Sequence, residues 1–89
     1  MKIVVNNCYG GVSVSDFVVK ELNLNSEYDF NRLDPRLVAM VEEDSEKASG
    51  KHAMLEVIEI PDAATDWEIN DYDGLEDVTY VLDGKLHHI

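Results

Sequence analysis

Apolar side chains open the chain as an unbroken run of three within residues 2–6, and a polar segment follows at residues 7–11. A continuous β-branched run predicts a short strand with both faces buried, in the centre of a sheet. The two glycines of the polar segment predict a turn with a positive φ at one or both of them. A helix is then predicted from Ser13, a good N-cap, because apolar residues repeat beyond it at helical spacing. This core-facing stripe consists of Val14, Phe17, Val18 and Leu22.

The clearest helix signals lie between residues 33 and 50. Asp34 is a preferred N-cap, and Pro35 occupies the first helical position, where a missing N–H breaks no helical hydrogen bond. Gly50 stands where a helix commonly ends on a residue in the left-handed conformation. A second helix is therefore predicted between Asp34 and Gly50, with one buried stripe formed by Leu37, Val38, Val41 and Ala48.

Strand patterns occupy the second half of the chain. Residues 53–60 are β-branched and partly alternating, residues 67–69 form a shorter strand, and a turn follows at residues 72–74. Two further strands, residues 78–82 and 85–89, flank the pair Asp83-Gly84, a strong signal for a two-residue hairpin turn. The element order predicts one α+β domain over residues 1–89, with two helices packed on one face of a mixed sheet of four to five strands. The first strand is expected to run parallel to a neighbour across a right-handed crossover.

The charge balance of the 89 residues is strongly acidic, with 19 Asp and Glu against 7 Lys and Arg and a formal net charge of −12. This balance argues against nucleic acid or an anionic membrane as a direct partner, because binding to phosphate needs basic side chains. No apolar run approaches the roughly 18 residues of a membrane helix. The single cysteine, Cys8, rules out an internal disulfide and favours the cytosol. A chain this short has room for one thin core, so an enzyme is not expected.

The acidic residues are concentrated between His52 and Gly84, where ten carboxylates occur and no Lys or Arg. Because alternate strand residues share a face, some of them are predicted to form a ridge that docks on a basic protein surface, with an aromatic anchor. The residues predicted to bind this partner are Glu56, Glu59, Glu68, Asp71, Tyr72, Asp73, Glu76 and Asp77. The alternative is that the negative charge serves solubility alone.

Soft metal ligands are few, namely one thiol and three imidazoles, at Cys8, His52, His87 and His88. Together with a carboxylate they would complete a tetrahedral zinc site. Their spacing matches no metal motif, and His87 and His88 point to opposite faces if they lie on a strand. Cys8 and His52 meet only if their neighbouring strands run antiparallel. The alternative interpretation is a buried thiol with exposed imidazoles.

Four stretches of the chain resemble a small family of phage and prophage proteins. They are the opening MKIVVNNCYGG and residues 34–43, 55–62 and 67–74. The resemblance covers most of the chain up to Asp77, whereas the closing hairpin at residues 78–89 departs from the family pattern. It implies an origin in a mobile genetic element more than a mechanism.

Small acidic phage proteins of this kind are similar in character to anti-CRISPR inhibitors, some of which bind the type II CRISPR effector nuclease and one of which contains zinc. The resemblance implies an inhibitor in the host bacterial cytoplasm that binds a basic surface of this nuclease and blocks the loading of target DNA. It also implies Cys8 as the family ligand of a structural zinc, with His52 or a C-terminal histidine added in this chain. Two alternatives stay open: a metal-binding phage accessory protein, enzyme or regulator, that uses Cys8 and the histidines, and a virion or packaging accessory without an inhibitory role.

Overall fold

Three helices and five strands make up the protein, whose computed structural model describes residues 1–89. In chain order they are β1 (Lys2–Asn6), α1 (Asp16–Glu21), α2 (Pro35–Glu43), α3 (Ser45–Ala48), β2 (Leu55–Glu59), β3 (Asp66–Tyr72), β4 (Leu75–Leu82) and β5 (Lys85–His88). The predicted α+β class is confirmed. No helix has both the length and the apolar character that crossing a lipid bilayer requires.

The strands form two antiparallel sheets, and the prediction of one mixed sheet is wrong. β1 pairs with β2, so that Lys2 lies opposite Glu59, while β4 is the central strand between β3 and β5. The helices connect β1 to β2 so that β2 begins beside the C-terminal end of β1. There the Asn7 N–H donates to the Met54 carbonyl at 2.7 Å. β1 therefore has no parallel neighbour, and the crossover rule does not apply to its connection.

β1 is buried on both faces, as predicted, because it lies in the middle of three layers. Side chains alternate along a strand, so Val4 packs on the helices near Leu37, whereas Ile3 and Val5 pack near Val78 of the three-stranded sheet. The small β1–β2 sheet is thus covered by helices on one face and by the β3–β4–β5 sheet on the other. Burial on both faces comes from this layering and not from a central position within a sheet.

The N-cap of α1 is Ser15 and not the predicted Ser13. The Ser15 hydroxyl accepts the Val18 N–H at 3.3 Å. Ser13 is buried instead, and its carbonyl accepts the Gly50 N–H at 2.9 Å. Gly50 does not have the left-handed conformation expected of it; a Cβ there would stand 1.8 Å from the Ser13 hydroxyl oxygen, so close packing requires glycine. Three members of the predicted stripe are buried and Phe17 is partly exposed.

The second predicted helix is in fact two helices. Asp34 caps α2 by accepting the Arg36 N–H at 2.9 Å, and Pro35 is the first helical residue, as expected. The chain then breaks at Asp44, whose carboxylate accepts the Lys47 N–H at 3.1 Å and caps α3. A capping side chain inside the apolar period therefore divides one predicted element into two.

Both turns of the three-stranded sheet are two-residue Asp-Gly turns. Asp73 and Gly74 have φ values of 52° and 93°, and Asp83 and Gly84 have φ values of 53° and 76°. Positive φ at both central residues is characteristic of a type I′ hairpin turn, which matches the right-handed twist of the strands. The predicted hairpin at residues 83–84 and the predicted turn at residues 72–74 are confirmed.

Candidate partner-binding surface

One face of the β3–β4–β5 sheet is open to solvent and carries carboxylates. Asp66 and Glu68 alternate along β3, and Asp77 lies on the same side of β4, whereas Val78 points the other way into the core against β1. We call the open side the outer face, and it contains no Lys or Arg. Its residues are Asp66, Glu68, Asn70, Tyr72, Leu75, Asp77, Thr79, Val81, Leu86 and His88.

Five of the seven predicted partner-binding carboxylates lie elsewhere. Asp71 is opposite Glu76 in the sheet and so lies on the other side of β3, and Asp73 is in the β3–β4 turn. Glu56 and Glu59 are on β2, in the other sheet, so the expected ridge from Glu56 to Glu68 is not formed. Because side chains alternate along β4, Glu76 points into the protein, and only 3% of its side chain is exposed. The prediction that Glu76 faces a partner is therefore wrong, because its neighbour Asp77 takes the outward position.

Glu76 instead forms a buried ion pair that completes the free edge of β1. Arg32 donates two hydrogen bonds to the Glu76 carboxylate, from Nη1 to Oε1 at 2.5 Å and from Nη2 to Oε2 at 2.9 Å. The same carboxylate accepts the Asn6 N–H at 2.9 Å, and Arg32 also donates from Nη1 to the Val4 carbonyl at 3.1 Å. The Val4 N–H donates to the Arg32 carbonyl at 2.9 Å. These contacts stabilise a strand edge that no neighbouring strand pairs with.

A buried asparagine joins the loop after β1 to the β3–β4 turn. The Asn6 Nδ2 donates to the Gly74 carbonyl at 2.7 Å and to the Cys8 carbonyl at 3.0 Å, and its Oδ1 accepts the Met54 N–H at 2.8 Å. Asn6 is fully buried. Since a buried amide is stable only when its hydrogen bonds are made, Asn6 fixes the relative positions of three segments.

Two glycines bring these segments into direct backbone contact. The Gly10 N–H donates to the Asp73 carbonyl at 2.7 Å, and Gly10 has a φ of 125°. A Cβ on Gly74 would stand 1.7 Å from the Gly10 carbonyl oxygen. The prediction of a positive φ in the loop after β1 is confirmed at Gly10, where that φ favours glycine. The contact with the Gly10 carbonyl leaves no room for a side chain at Gly74.

Two exposed tyrosines meet at this junction. Tyr9 and Tyr72 are 65% and 71% exposed, and their ring centroids are 6.4 Å apart at an interplanar angle of 73°, an edge-to-face arrangement. Tyr72 is among the predicted partner-binding residues, whereas Tyr9 is not. The available signal is that Tyr9 stands outside any apolar period, between Cys8 and Gly10, in a loop of polar residues.

The exposed carboxylates of the β3–β4 hairpin have no cationic partner. The four ion pairs of the protein involve other acidic residues, Asp34, Glu42, Asp62 and Glu76. Asp71 accepts the Gly74 N–H at 2.8 Å through Oδ1, which orients its side chain without neutralising it. We define the acidic surface as the five exposed and unpaired carboxylates of the β3–β4 hairpin, Asp66, Glu68, Asp71, Asp73 and Asp77.

The predicted zinc ligands do not come together, and the prediction of a zinc site is wrong. Cys8 does meet residue 52, since β1 and β2 are antiparallel, but its Sγ lies 3.4 Å from the backbone carbonyl of His52. His87 stacks on Tyr80 with ring centroids 5.1 Å apart, and His88 points to the outer face. No group of three or more His, Cys, Asp or Glu side chains is arranged to hold a metal ion.

A groove of about 460 Å³ separates α1 from α2 and α3, and both of its cations, Arg36 and Lys47, already have partners. Lys47 Nζ lies 4.1 Å from the centroid of the Phe17 ring. Arg36 Nη2 donates to Asp34 at 2.8 Å, and this hydrogen bond lowers the pKa of the Asp34 carboxyl below its ordinary value. Asp44 caps α3. These contacts leave no unpartnered cation in the groove, whereas its exposed carboxylates Glu21 and Glu43 form no ion pair.

Comparison of the chain with models of protein families, with curated proteins and with solved structures found no match. The resemblance to phage proteins, and the inhibitor function that it implies, therefore stay predictions. What the chain binds has to be argued from its own surface.

Proposed function

We propose that the protein is a non-enzymatic interaction protein whose acidic surface binds a cationic groove of a nucleic-acid-binding protein and keeps nucleic acid out of it. The observation that carries this proposal is the set of five exposed carboxylates on one hairpin, none of them in an ion pair, with the exposed Tyr72 at the turn of that hairpin. What distinguishes these carboxylates from the unpaired ones on the helices is that β3, β4 and the turn between them contain no Lys or Arg.

The spacing of these carboxylates suits a groove lined by Lys and Arg. Asp66 and Glu68 are two residues apart on one strand, a separation of about 6.6 Å. Asp77 is opposite Asn70 on the adjacent strand, accepts a hydrogen bond from Asn70 Nδ2 at 2.9 Å, and is the diagonal neighbour of Glu68 at about 7–8 Å. Like charges at these distances repel in the free protein, and that repulsion is relieved when cations of a partner lie between them. Binding is therefore expected to be fast and to weaken as salt is added.

The partner that we propose is a type II CRISPR effector nuclease in the cytoplasm of a host bacterium. Nucleases of this class hold the guide–target heteroduplex in a positively charged channel. A protein that occupies this channel blocks the loading of target DNA without contacting nucleic acid or a membrane itself. The sign and the exposure of the acidic surface support this choice, together with the resemblance to phage proteins.

Charge reversal on the outer face tests the proposal. A triple variant, Asp66→Lys, Glu68→Lys and Asp77→Lys, removes three carboxylates that lie on one side of the sheet. Its affinity for guide-loaded type II effector nucleases, measured by biolayer interferometry at low and at high salt, is expected to fall at least about tenfold. The wild-type protein should lose affinity with salt more steeply than the triple variant.

A matched control separates local contact from net charge. The helical residues Glu21, Glu43 and Glu46 are exposed and unpaired, and changing them to Lys alters the net charge by the same amount. The control triple is expected to bind within about threefold of the wild type. Equal affinities for the outer-face and control triples would contradict a specific acidic surface.

A further inference from the structure

Taking the proposed function as its basis, we infer that Tyr9 and Tyr72 are the anchor of the acidic surface and that they bind an arginine side chain of the partner. Both rings are largely exposed, although burying an aromatic ring is usually favourable. Their edge-to-face contact leaves ring surface of each free for a third group. The anchor is therefore a pair of rings held ready for an occupant.

The pair is held rigidly by the surrounding backbone. Tyr9 is followed by Gly10, whose N–H donates to the Asp73 carbonyl at 2.7 Å, and Tyr72 immediately precedes Asp73. The fully buried Asn6 bonds both the Gly74 and the Cys8 carbonyls. Neither loop can move without breaking these hydrogen bonds, of which the one from Asn6 to Gly74 is buried, so little backbone freedom is lost when a partner binds.

The charge beside the rings determines the chemistry of the occupant. Asp73 follows Tyr72 in the turn, and Asp77 is the diagonal neighbour of Tyr72 on the outer face; both are exposed and free of ion pairs. A cation over the ring face of a tyrosine is stabilised by the ring quadrupole, and a carboxylate next to the ring adds a charge-assisted hydrogen bond. Arginine makes both contacts at once, because its guanidinium is planar, weakly hydrated and able to donate in a fork. Lysine is a strongly hydrated point charge and gains less from the rings.

Two peptides of equal charge, hexa-arginine and hexa-lysine, are the probes that test this anchor. In titrations followed by the NMR signals of the tyrosine rings, the wild-type protein is expected to bind hexa-arginine about fivefold more tightly. The double variant Tyr9→Leu, Tyr72→Leu keeps every charge and should lose this preference while binding hexa-lysine as before. Tyr28→Leu is the matched control, because Tyr28 is 68% exposed on another loop, and it should keep the preference.

A second double variant, Tyr9→Phe and Tyr72→Phe, keeps the rings and is expected to retain the preference for arginine. This variant keeps the inference testable if the Leu double variant does not fold. The inference is overturned if the wild type binds both peptides equally, or if both double variants keep the same preference. The proposed function is tested separately, since the outer-face charge-reversal triple should weaken binding of both peptides. If that triple weakens the binding of both peptides but the Tyr9→Leu, Tyr72→Leu variant keeps the preference for hexa-arginine, the acidic surface is supported and the arginine anchor is not.

Discussion

Single residues decide whether the two loops of the anchor can touch. An Asp-Gly pair predicts a hairpin turn with positive φ from two adjacent residues, and both such turns occur. The close approach of Gly74 to the Gly10 carbonyl could not be predicted in this way, because the two residues are far apart in the chain. Tyr9 went unpredicted for the same reason, since its neighbour Tyr72 is brought to it only by the fold.

Alanine at the two hairpin glycines should separate turn conformation from close packing. At Gly84 a Cβ would meet nothing within 4 Å, so Gly84→Ala costs only the strain of a positive φ, about 1 kcal/mol. At Gly74 the Cβ would also collide with the Gly10 carbonyl oxygen, so Gly74→Ala should cost at least about 2 kcal/mol more. Urea unfolding of both variants measures the difference. Equal losses would mean that the two loops are not in contact.

Elements whose signals are local were predictable, and elements that depend on distant pairing were not. The N-terminus of α2 followed from Asp34 and Pro35 alone. The break at Asp44 was missed because the apolar stripe continues across it to Ala48. The direction of β1 relative to β2 has no local signal, and neither does the ion pair between Arg32 and Glu76 that completes the edge of β1.

The cap of α2 should give a stability contribution that depends on pH. Hydrogen bonding to Arg36 lowers the pKa of Asp34 in the folded protein from an ordinary value of 3.8. The contribution is therefore complete above that ordinary pKa and is lost as the pH falls through the lowered, folded-state pKa. Asp34→Ala should reduce the free energy of unfolding by about 1 kcal/mol at neutral pH, and by less as the pH falls below the ordinary carboxyl pKa.

Chemical denaturation across this pH range measures the effect. Asp16→Ala is the control, since Asp16 is an exposed residue of the first turn of α1 and is neither an N-cap nor part of an ion pair. Its loss should be smaller than that of Asp34→Ala at neutral pH. A gap between Asp34→Ala and the wild type that stays constant down to the lowest pH would contradict the capping role of the ionised carboxylate.

At the scale of the whole molecule, the fold brings part of the acidic segment of the sequence together on one surface. Composition alone placed ten carboxylates and no cation between residues 52 and 84. It did not show which of them share a face, because Glu56 and Glu59 belong to another sheet and Glu76 turns inward to Arg32. Five of the remaining seven carboxylates lie on the β3–β4 hairpin, and the tyrosine pair lies at its turn. Asp62 pairs with the N-terminal ammonium group, and Asp83 is in the β4–β5 turn.

Competition with DNA tests most directly whether this surface takes the place of nucleic acid. The measurement is the binding of target DNA to a guide-loaded type II effector nuclease while the protein is titrated in. The wild type and the Glu21, Glu43, Glu46 control triple should displace DNA equally, and the Asp66, Glu68, Asp77 triple should need at least about tenfold more protein. Simultaneous binding of DNA and wild-type protein, or equal displacement by the outer-face triple, would contradict the proposed role of the acidic surface.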